Sequence, residues 1–138
     1  MSDQILARNR LIEEKYSCVL VRNRNIIMAS YGKGIKPVFS KLVEDKNSLQ
    51  GAAMADKIVG KALALLSLFA GIKSVYGYIM SDCAKIILES NGVYVECTEI
   101  VPCIMNKDRT DRCPMEILVS NIEDPKEAFD IILNFFQK

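Results

Sequence analysis

Apolar and polar positions alternate along this chain in blocks that predict both helices and strands. Positions 5–7, 11 and 12 are apolar among charged residues, which is the spacing of an amphipathic helix over residues 3–15. Two short apolar runs, 18–21 and 26–29, flank the polar segment 22–25. Because the two Asn residues of that segment tolerate left-handed backbone, the pattern predicts a β-hairpin.

The longest predicted helix runs from Ala52 to Ala70, with Gly71 as its C-cap. It is apolar nearly all round after Lys61, so we expect it to be the buried central helix. Further helices are predicted at 37–45, 82–91, 114–121 and from Pro125 onward, the last with Asp124 as its N-cap. Further strands are predicted at 73–80, 93–97 and 100–105.

This order of elements, without repeats or linkers, predicts one domain spanning residues 1–138. We expect an α/β fold with three layers, α/β/α, around a mixed sheet. Only the parallel part of such a sheet needs helical crossovers, and the helices at 52–70 and 82–91 supply them.

Net charge, apolar run length and cysteine content limit the classes of function that the chain can have. Eighteen basic and 17 acidic residues leave a net charge of +1, so no overall field favours nucleic acid or a membrane, although a local nucleic-acid patch stays open. The longest uncharged apolar run, 62–72, is too short to cross a bilayer, and the first ten residues lack the apolar stretch of a signal peptide. Five cysteines without a CxxC pair then predict a cytoplasmic protein with reduced thiols.

The chain has no histidine, which removes imidazole bases, imidazole metal ligands and every His-based triad. This absence bears directly on the most informative pattern in the chain. Met54-Ala55-Asp56 stands at the predicted start of the central helix, and Ser81-Asp82-Cys83 at the turn into the helix after the next strand.

These two places resemble the active-site elements of the cytidine-deaminase fold. Catalytic deaminases carry His-Ala-Glu or Cys-Ala-Glu at the first and Pro-Cys-x-x-Cys at the second. Here Met54 and Ile86 replace two of the three zinc ligands and only Cys83 remains. A thioether is a poor zinc ligand and isoleucine is none, so we predict no metal and no cofactor.

From Asp3 onward the chain also resembles a family of small, uncharacterised prokaryotic proteins with this fold, a domain of unknown function. The resemblance rests on Gly-Ile-Lys-Pro at 34–37, Ala-Asp-Lys-Ile-Val-Gly-Lys-Ala at 55–62 and the segment 106–116. It implies a deaminase-like fold without the zinc site, and a homo-oligomer. In that family glycine commonly follows the Asp of the third segment, where this chain has Arg109.

A first candidate site is formed by Asp56, Lys57 and Lys61. Four residues apart on one helix, the two lysines would be neighbours beside free amide groups, which favours an anion between them. The alternative is a solvated face of a buried helix. The Tyr31–Lys36 segment has two glycines whose amides could cradle a phosphate, but its spacing fits no known phosphate motif, so it is interpreted as a turn leading into Pro37. Lys36 could still reach the edge of a pocket.

A second candidate is the polar loop from Asn106 to Glu116. Cys113 precedes Pro114, so it would lie at a helix start that favours the thiolate form. The alternative is an ordinary polar loop with Cys113 packed as a small apolar residue.

We therefore expect a zinc-free, deaminase-like protein that binds a small anionic molecule, with a nucleoside or nucleotide as the first hypothesis. One alternative is a zinc-independent enzyme that uses Asp56 as general acid/base and Cys113 as nucleophile. Another is a protein- or RNA-interaction module with a vestigial pocket. The predicted ligand-binding residues are Lys57, Lys61, Ser81, Asp82, Cys83, Asn106, Asp108, Thr110 and Glu116.

Overall fold

A computed structural model describes residues 2–137 and contains one five-stranded sheet with helices on both faces. The strands lie in the order β2-β1-β3-β4-β5, antiparallel across β2, β1 and β3 and parallel across β3, β4 and β5. This arrangement confirms the predicted α/β class and mixed sheet. The elements are α1 (Asp3–Glu14), β1 (Cys18–Arg22), β2 (Asn25–Ser30), α2 (Lys36–Glu44), β3 (Ala53–Val59), α3 (Lys61–Ala70), β4 (Ser74–Ser81), α4 (Asp82–Ser90), β5 (Tyr94–Val101), α5 (Pro114–Leu118) and α6 (Pro125–Phe136).

Two apolar cores hold the layers together. On one face, α1 packs on β1, β3 and β4 through Ala7, Leu11, Ala55 and Tyr76. The larger core lies on the other face, where α3 packs against α2, α4 and α6. The first face has a single helix, so part of the sheet beyond α1 stays uncovered.

Several local predictions are confirmed. The hairpin forms, and Asn23 and Arg24 both adopt positive φ (53° and 65°) in its turn. Gly71 ends the central helix at φ 76°. Asp124 caps α6 by accepting a hydrogen bond from the Glu127 amide at 2.9 Å.

The predicted helix over Ala52–Ala70 is wrong in its first half. Residues 53–59 form the central strand β3, and the helix begins only at Lys61, after Gly60. β3 lies between β1 and β4 with Ala53, Met54 and Ala55 fully buried, so its apolar residues do not alternate as in a half-exposed strand. Ala and Met favour a helix locally, but burial between two strands overrides that preference.

The end of the sheet also differs from expectation. The two strands predicted at 93–97 and 100–105 are one strand, β5, which ends at Val101. Beyond it, Met105 makes only an isolated antiparallel bridge with Arg112. The helix predicted over 114–121 ends at Leu118.

Replacing Gly71 by Ala should lower the free energy of unfolding by more than replacing Gly92 by Ala. Both glycines have positive φ (76° and 79°), which costs a residue with a side chain about 1–2 kcal/mol. A Cβ at Gly71 would also overlap the Gln50 side chain, whereas a Cβ at Gly92 meets nothing within 4 Å. Urea unfolding of the two variants measures the difference, and equal losses would show that the Gln50 contact costs nothing.

Candidate functional site

A cleft of about 450 Å³ lies at the carboxyl end of β3. Four parts of the chain form it: Ser17 before β1, the loop before α2, the end of β3 with the start of α3, and the segment that leads into α5. Its walls are mostly aliphatic and sulphur-bearing side chains, which surround a few polar groups. Those polar side chains and thiols belong to Ser17, Tyr31, Lys33, Asp56, Lys57, Cys113 and Glu116.

Asp56 is the buried carboxyl group of this cleft. Only 5% of the residue is exposed, and it lies directly opposite Cys18 in the antiparallel pair of β1 and β3. Its Oδ1 accepts a hydrogen bond from the Ile58 amide at 3.0 Å. A carboxylate so placed pays a desolvation cost that its few partners offset only in part.

Burial is accordingly the main influence on the acidity of this pair. Burial raises the pKa of Asp56 from 3.8 to about 7, although hydrogen bonds from Ile58 and Cys18 and the charge of Lys57 act in the opposite direction. Burial, followed by the negative charge of Asp56, raises the pKa of the Cys18 thiol well above its ordinary value. Near neutral pH Asp56 can therefore exist as a protonated carboxyl that donates a hydrogen bond into the cleft.

Glu116 closes the cleft and caps α3. Its two carboxylate oxygens accept hydrogen bonds from the backbone amides of Lys61 (2.7 Å) and Ala62 (2.8 Å). The carboxylate lies where a Cβ on Gly60 would be, so the glycine makes this close approach possible. The amide groups at the start of the central helix thus already hold an anion, and that anion belongs to the protein.

Lys61 does not line the cleft. The helix predicted over residues 52–70 would have placed the Lys61 side chain there, beside Lys57. Its amine is buried and contacts the Ser120 carbonyl oxygen (3.1 Å) and Glu123 (3.3 Å). Lys57 lies on β3 and is exposed, so the expected helical pairing of Lys57 with Lys61 is wrong.

The predicted turn at Ser81-Asp82-Cys83 lies at the start of α4 and does not line the cleft. Ser81 caps that helix by accepting a hydrogen bond from the Ala84 amide at 3.2 Å. Asp82 and Cys83 follow in the first turn and are exposed. Partial burial raises the pKa of Cys83, and the charge of Lys61 opposes that increase.

The loop over residues 106–112 is organised by its own polar groups. Asn106 donates to the Thr110 hydroxyl and accepts from the Thr110 amide, both at 3.0 Å, while Asp108 is exposed. Arg109 has φ 57°, which is the conformation that glycine adopts most easily, so the glycine that the family resemblance implies at this position would fit without strain. Cys113 occupies the N-cap position of α5 and lines the cleft, but its side chain makes no capping hydrogen bond.

Sequence reasoning brought Asp56, Lys57, Cys113 and Glu116 into one site, and all four line the cleft. It interpreted the loop before α2 as a turn and placed only Lys36 at a pocket edge, whereas Tyr31, Lys33 and Ile35 line the cleft and Lys36 does not. The available signal was the pair of glycines at 32 and 34, which lets the backbone turn close to the cleft.

The donor groups of the cleft do not fit the zinc ion of deaminases. Zinc needs three ligands from thiolate, imidazole or carboxylate groups. Within residues 2–137 no three Cys, Asp, Glu or His side chains come together to hold a metal ion.

Within the same residues, no helix is both long and apolar enough to span a membrane.

Comparison of the sequence with known families assigns the chain to one of them. The family model for a domain of unknown function, DUF1893 (TM1506), matches residues 6–136, and the chain belongs to that family. It is similar to the crystal structure of the DUF1893 family protein TM1506 from Thermotoga maritima. The TM-score is 0.82 and the identity 28%, over 91% of this chain and 84% of that one.

A second similar structure is the apo dCMP deaminase of cyanophage S-TIM5. Its TM-score is 0.47 and its identity 18%, over 58% of this chain and 77% of that one. A likeness at that level carries no information about activity. No curated protein matches the chain.

Replacing Asp56 by Asn should make stability less dependent on pH. Because the pKa of Asp56 is higher in the folded than in the unfolded chain, its protonation stabilises the fold fully below about pH 4, and this contribution is lost as the pH rises through about 7. The interval from 3.8 to about 7 corresponds to roughly 4 kcal/mol. Urea unfolding at pH 4 to 8 should show that the free energy of unfolding of the variant increases relative to that of the wild type as the pH rises. Parallel profiles for the two proteins would contradict the assignment.

Replacing Glu116 by Ala should lower the free energy of unfolding by about 1–3 kcal/mol, because two amides at the start of α3 lose a charged acceptor. The variant Glu116→Gln keeps one acceptor oxygen, so its free energy of unfolding should lie between those of the wild type and Glu116→Ala. Glu89→Ala, which removes an exposed pair with Lys85, is the matched control and should cost less than about 1 kcal/mol.

Added phosphate provides a second readout for the same variant. It should restore part of the lost stability in Glu116→Ala and have little effect on the wild type, whose helix start is already capped. Equal effects of phosphate on both proteins would show that Glu116 does not occupy an anion site.

Proposed function

We propose that this protein binds a small anionic molecule in the cleft at the end of β3, with a nucleoside or nucleotide as the first candidate. The observation that carries the proposal is the buried carboxyl of Asp56 on the wall of an open, mostly apolar recess. Sites for small molecules commonly combine an apolar lining of this size with a few fixed polar groups. A buried acid with a strongly shifted pKa is typical of such sites.

The charges around the cleft suit an anion. Lys33 and Lys57 line it, and neither has a carboxylate within 4.0 Å among residues 2–137. Glu116 also lines it, but its charge is directed at the two amides of α3. Asp56 adds little repulsion when it is protonated, so the cationic side chains dominate.

The nucleotide part of the proposal comes from the resemblance to deaminases. Those proteins carry their active site at two places: the start of the central helix, and the turn from the following strand into the next helix. In this chain those places are the start of α3 after Gly60, which lines the cleft, and Ser81–Cys83 at the start of α4, which does not. Fold alone does not fix function, so this argument orders the candidate ligands and does no more.

A second candidate function is zinc-independent catalysis. Asp56 and Cys113 line the same cleft, so an acid and a thiol would both face one bound molecule. Asp56 would move a proton and Cys113 would act as the nucleophile.

A third candidate function is that of an interaction module with a vestigial pocket. It predicts that no small molecule stabilises the protein. Self-association, which the family resemblance suggests, is compatible with all three.

Thermal unfolding against a panel of nucleosides, nucleotides and phosphorylated metabolites tests the proposal. A ligand at about 100 times its Kd should add about 2.7 kcal/mol, a rise of several degrees in Tm. The double variant Lys33→Ala/Lys57→Ala should lose most of that rise. Lys85→Ala/Lys126→Ala removes the same charge from α4 and α6 and should keep it.

The outcomes separate the three functions. No stabilisation by any member of the panel would overturn the proposal and favour an interaction module. An equal loss in both double variants would show that the anion does not bind between Lys33 and Lys57. Conversion of the stabilising ligand, abolished in Cys113→Ala, would favour catalysis.

A further inference from the structure

A groove of about 350 Å³ adjoins the cleft on the face of the sheet that carries α1. It lies between the carboxyl end of α1 and the ends of β3 and β4, and its volume is in the range of about 300–1,000 Å³ that small-molecule sites occupy. The side chains that matter to its chemistry are Ile12, Lys15, Lys57, Ile58, Tyr78 and Ile79.

The groove exists because two neighbouring strands are uncovered at the same level. Lys57 and Ile58 in β3, and Tyr78 in β4, are exposed, whereas the residues on either side of them are buried or partly buried. Ile58 pairs with Ile79 in the parallel register, so the two exposed segments are adjacent. Helix α1 ends at Glu14, and Lys15 follows with φ 58°, so α1 stops short of this part of the sheet.

The groove and the cleft share a border. Lys57 and Ile58 line both recesses, the cleft on one side and the groove on the other. The two recesses therefore meet at Lys57 and Ile58, and a ligand part bound in either one would lie against the same two residues.

The charge of the groove is positive. Its lining contains Lys15 and Lys57 and no carboxylate, and neither lysine makes an ion pair among residues 2–137. The remaining lining is aliphatic, apart from one aromatic ring. These groups complement a molecule with a flat apolar part and a negative charge.

Each recess also offers one tyrosine ring. Tyr31 lines the cleft and is 66% exposed, and Tyr78 lines the groove and is 49% exposed. Lys57 belongs to both recesses. Bases stack on exposed aromatic rings, and lysines contact the phosphate between them.

We propose that the cleft and the groove together bind a phosphate-bridged dinucleotide, with one nucleoside in each recess and the bridging phosphate at Lys57. This inference rests on the proposed function, because the cleft must first accept a nucleotide. It adds a second subsite, formed by Tyr78 and Lys15, and predicts a preference for two linked nucleosides over one.

Isothermal titration with a mononucleotide, a 3′,5′-linked dinucleoside monophosphate and a pyrophosphate-linked dinucleotide tests the inference. At least one dinucleotide should bind the wild type at least about tenfold more tightly than the mononucleotide. Tyr78→Ala and Lys15→Asn should remove that advantage and leave mononucleotide affinity within about twofold. Asn is used at position 15 because it tolerates the positive φ there.

Two control variants match these changes. Tyr94→Ala removes another exposed tyrosine on β5, and Lys85→Ala removes a lysine on α4 whose side chain is 40% exposed. Neither residue lines the cleft or the groove. Both should keep the dinucleotide advantage. A loss of the advantage in these controls would overturn the assignment of the second subsite.

The failures of the two proposals are distinguishable. If the mononucleotide binds but no dinucleotide binds better, or if the advantage survives in Tyr78→Ala, the groove is not a nucleoside subsite and the cleft assignment stands. If no nucleotide binds, both proposals fail. If sedimentation then shows a dimer that Tyr78→Ala dissociates, the groove is an interface between copies of this chain.

Discussion

The contact on which the candidate site depends is the pair of hydrogen bonds from the Lys61 and Ala62 amides to the Glu116 carboxylate. It fixes the segment after β5 against the start of α3, and so closes the cleft at the end of β3. It also requires Gly60, because a side chain there would occupy the space of the carboxylate. One acidic side chain, 55 residues away along the chain, thus fills the helix start that an external anion would otherwise occupy.

The elements that could be predicted from sequence are those whose structure is set by near neighbours. The hairpin turn at Asn23 and the caps at Gly71 and Asp124 each depend on the conformational preferences of a few consecutive residues. Strand β3 could not be predicted in this way. Its Ala-Met-Ala-Asp start lacks alternation because it is buried on both faces, and only the pairing with β1 and β4, which are distant in sequence, makes it a strand.

The same distinction, between local and long-range determinants of structure, applies to the residues of the candidate site. Asp56 and Lys57 were placed on a helix yet still lie in the cleft, because the end of β3 and the start of α3 are joined by a single residue, Gly60. Lys61 was expected beside them, but it lies one element further on and contacts Ser120 instead. Which of these side chains faces the cleft depends on where the helix begins, and that boundary was the part of the prediction that failed.

The uncovered ends of β3 and β4 connect the fold to both proposed subsites. A strand between two others normally hides both of its faces, yet Lys57 and Ile58, near the end of β3, are exposed. This exposure makes Lys57 available to the cleft and the groove at once. The buried Asp56 beside it can lose its charge near neutral pH, so a lysine and an uncharged acid would face the same molecule. The lysine would attract the anionic part of a ligand and the carboxyl would fix its orientation, as a nucleotide site requires.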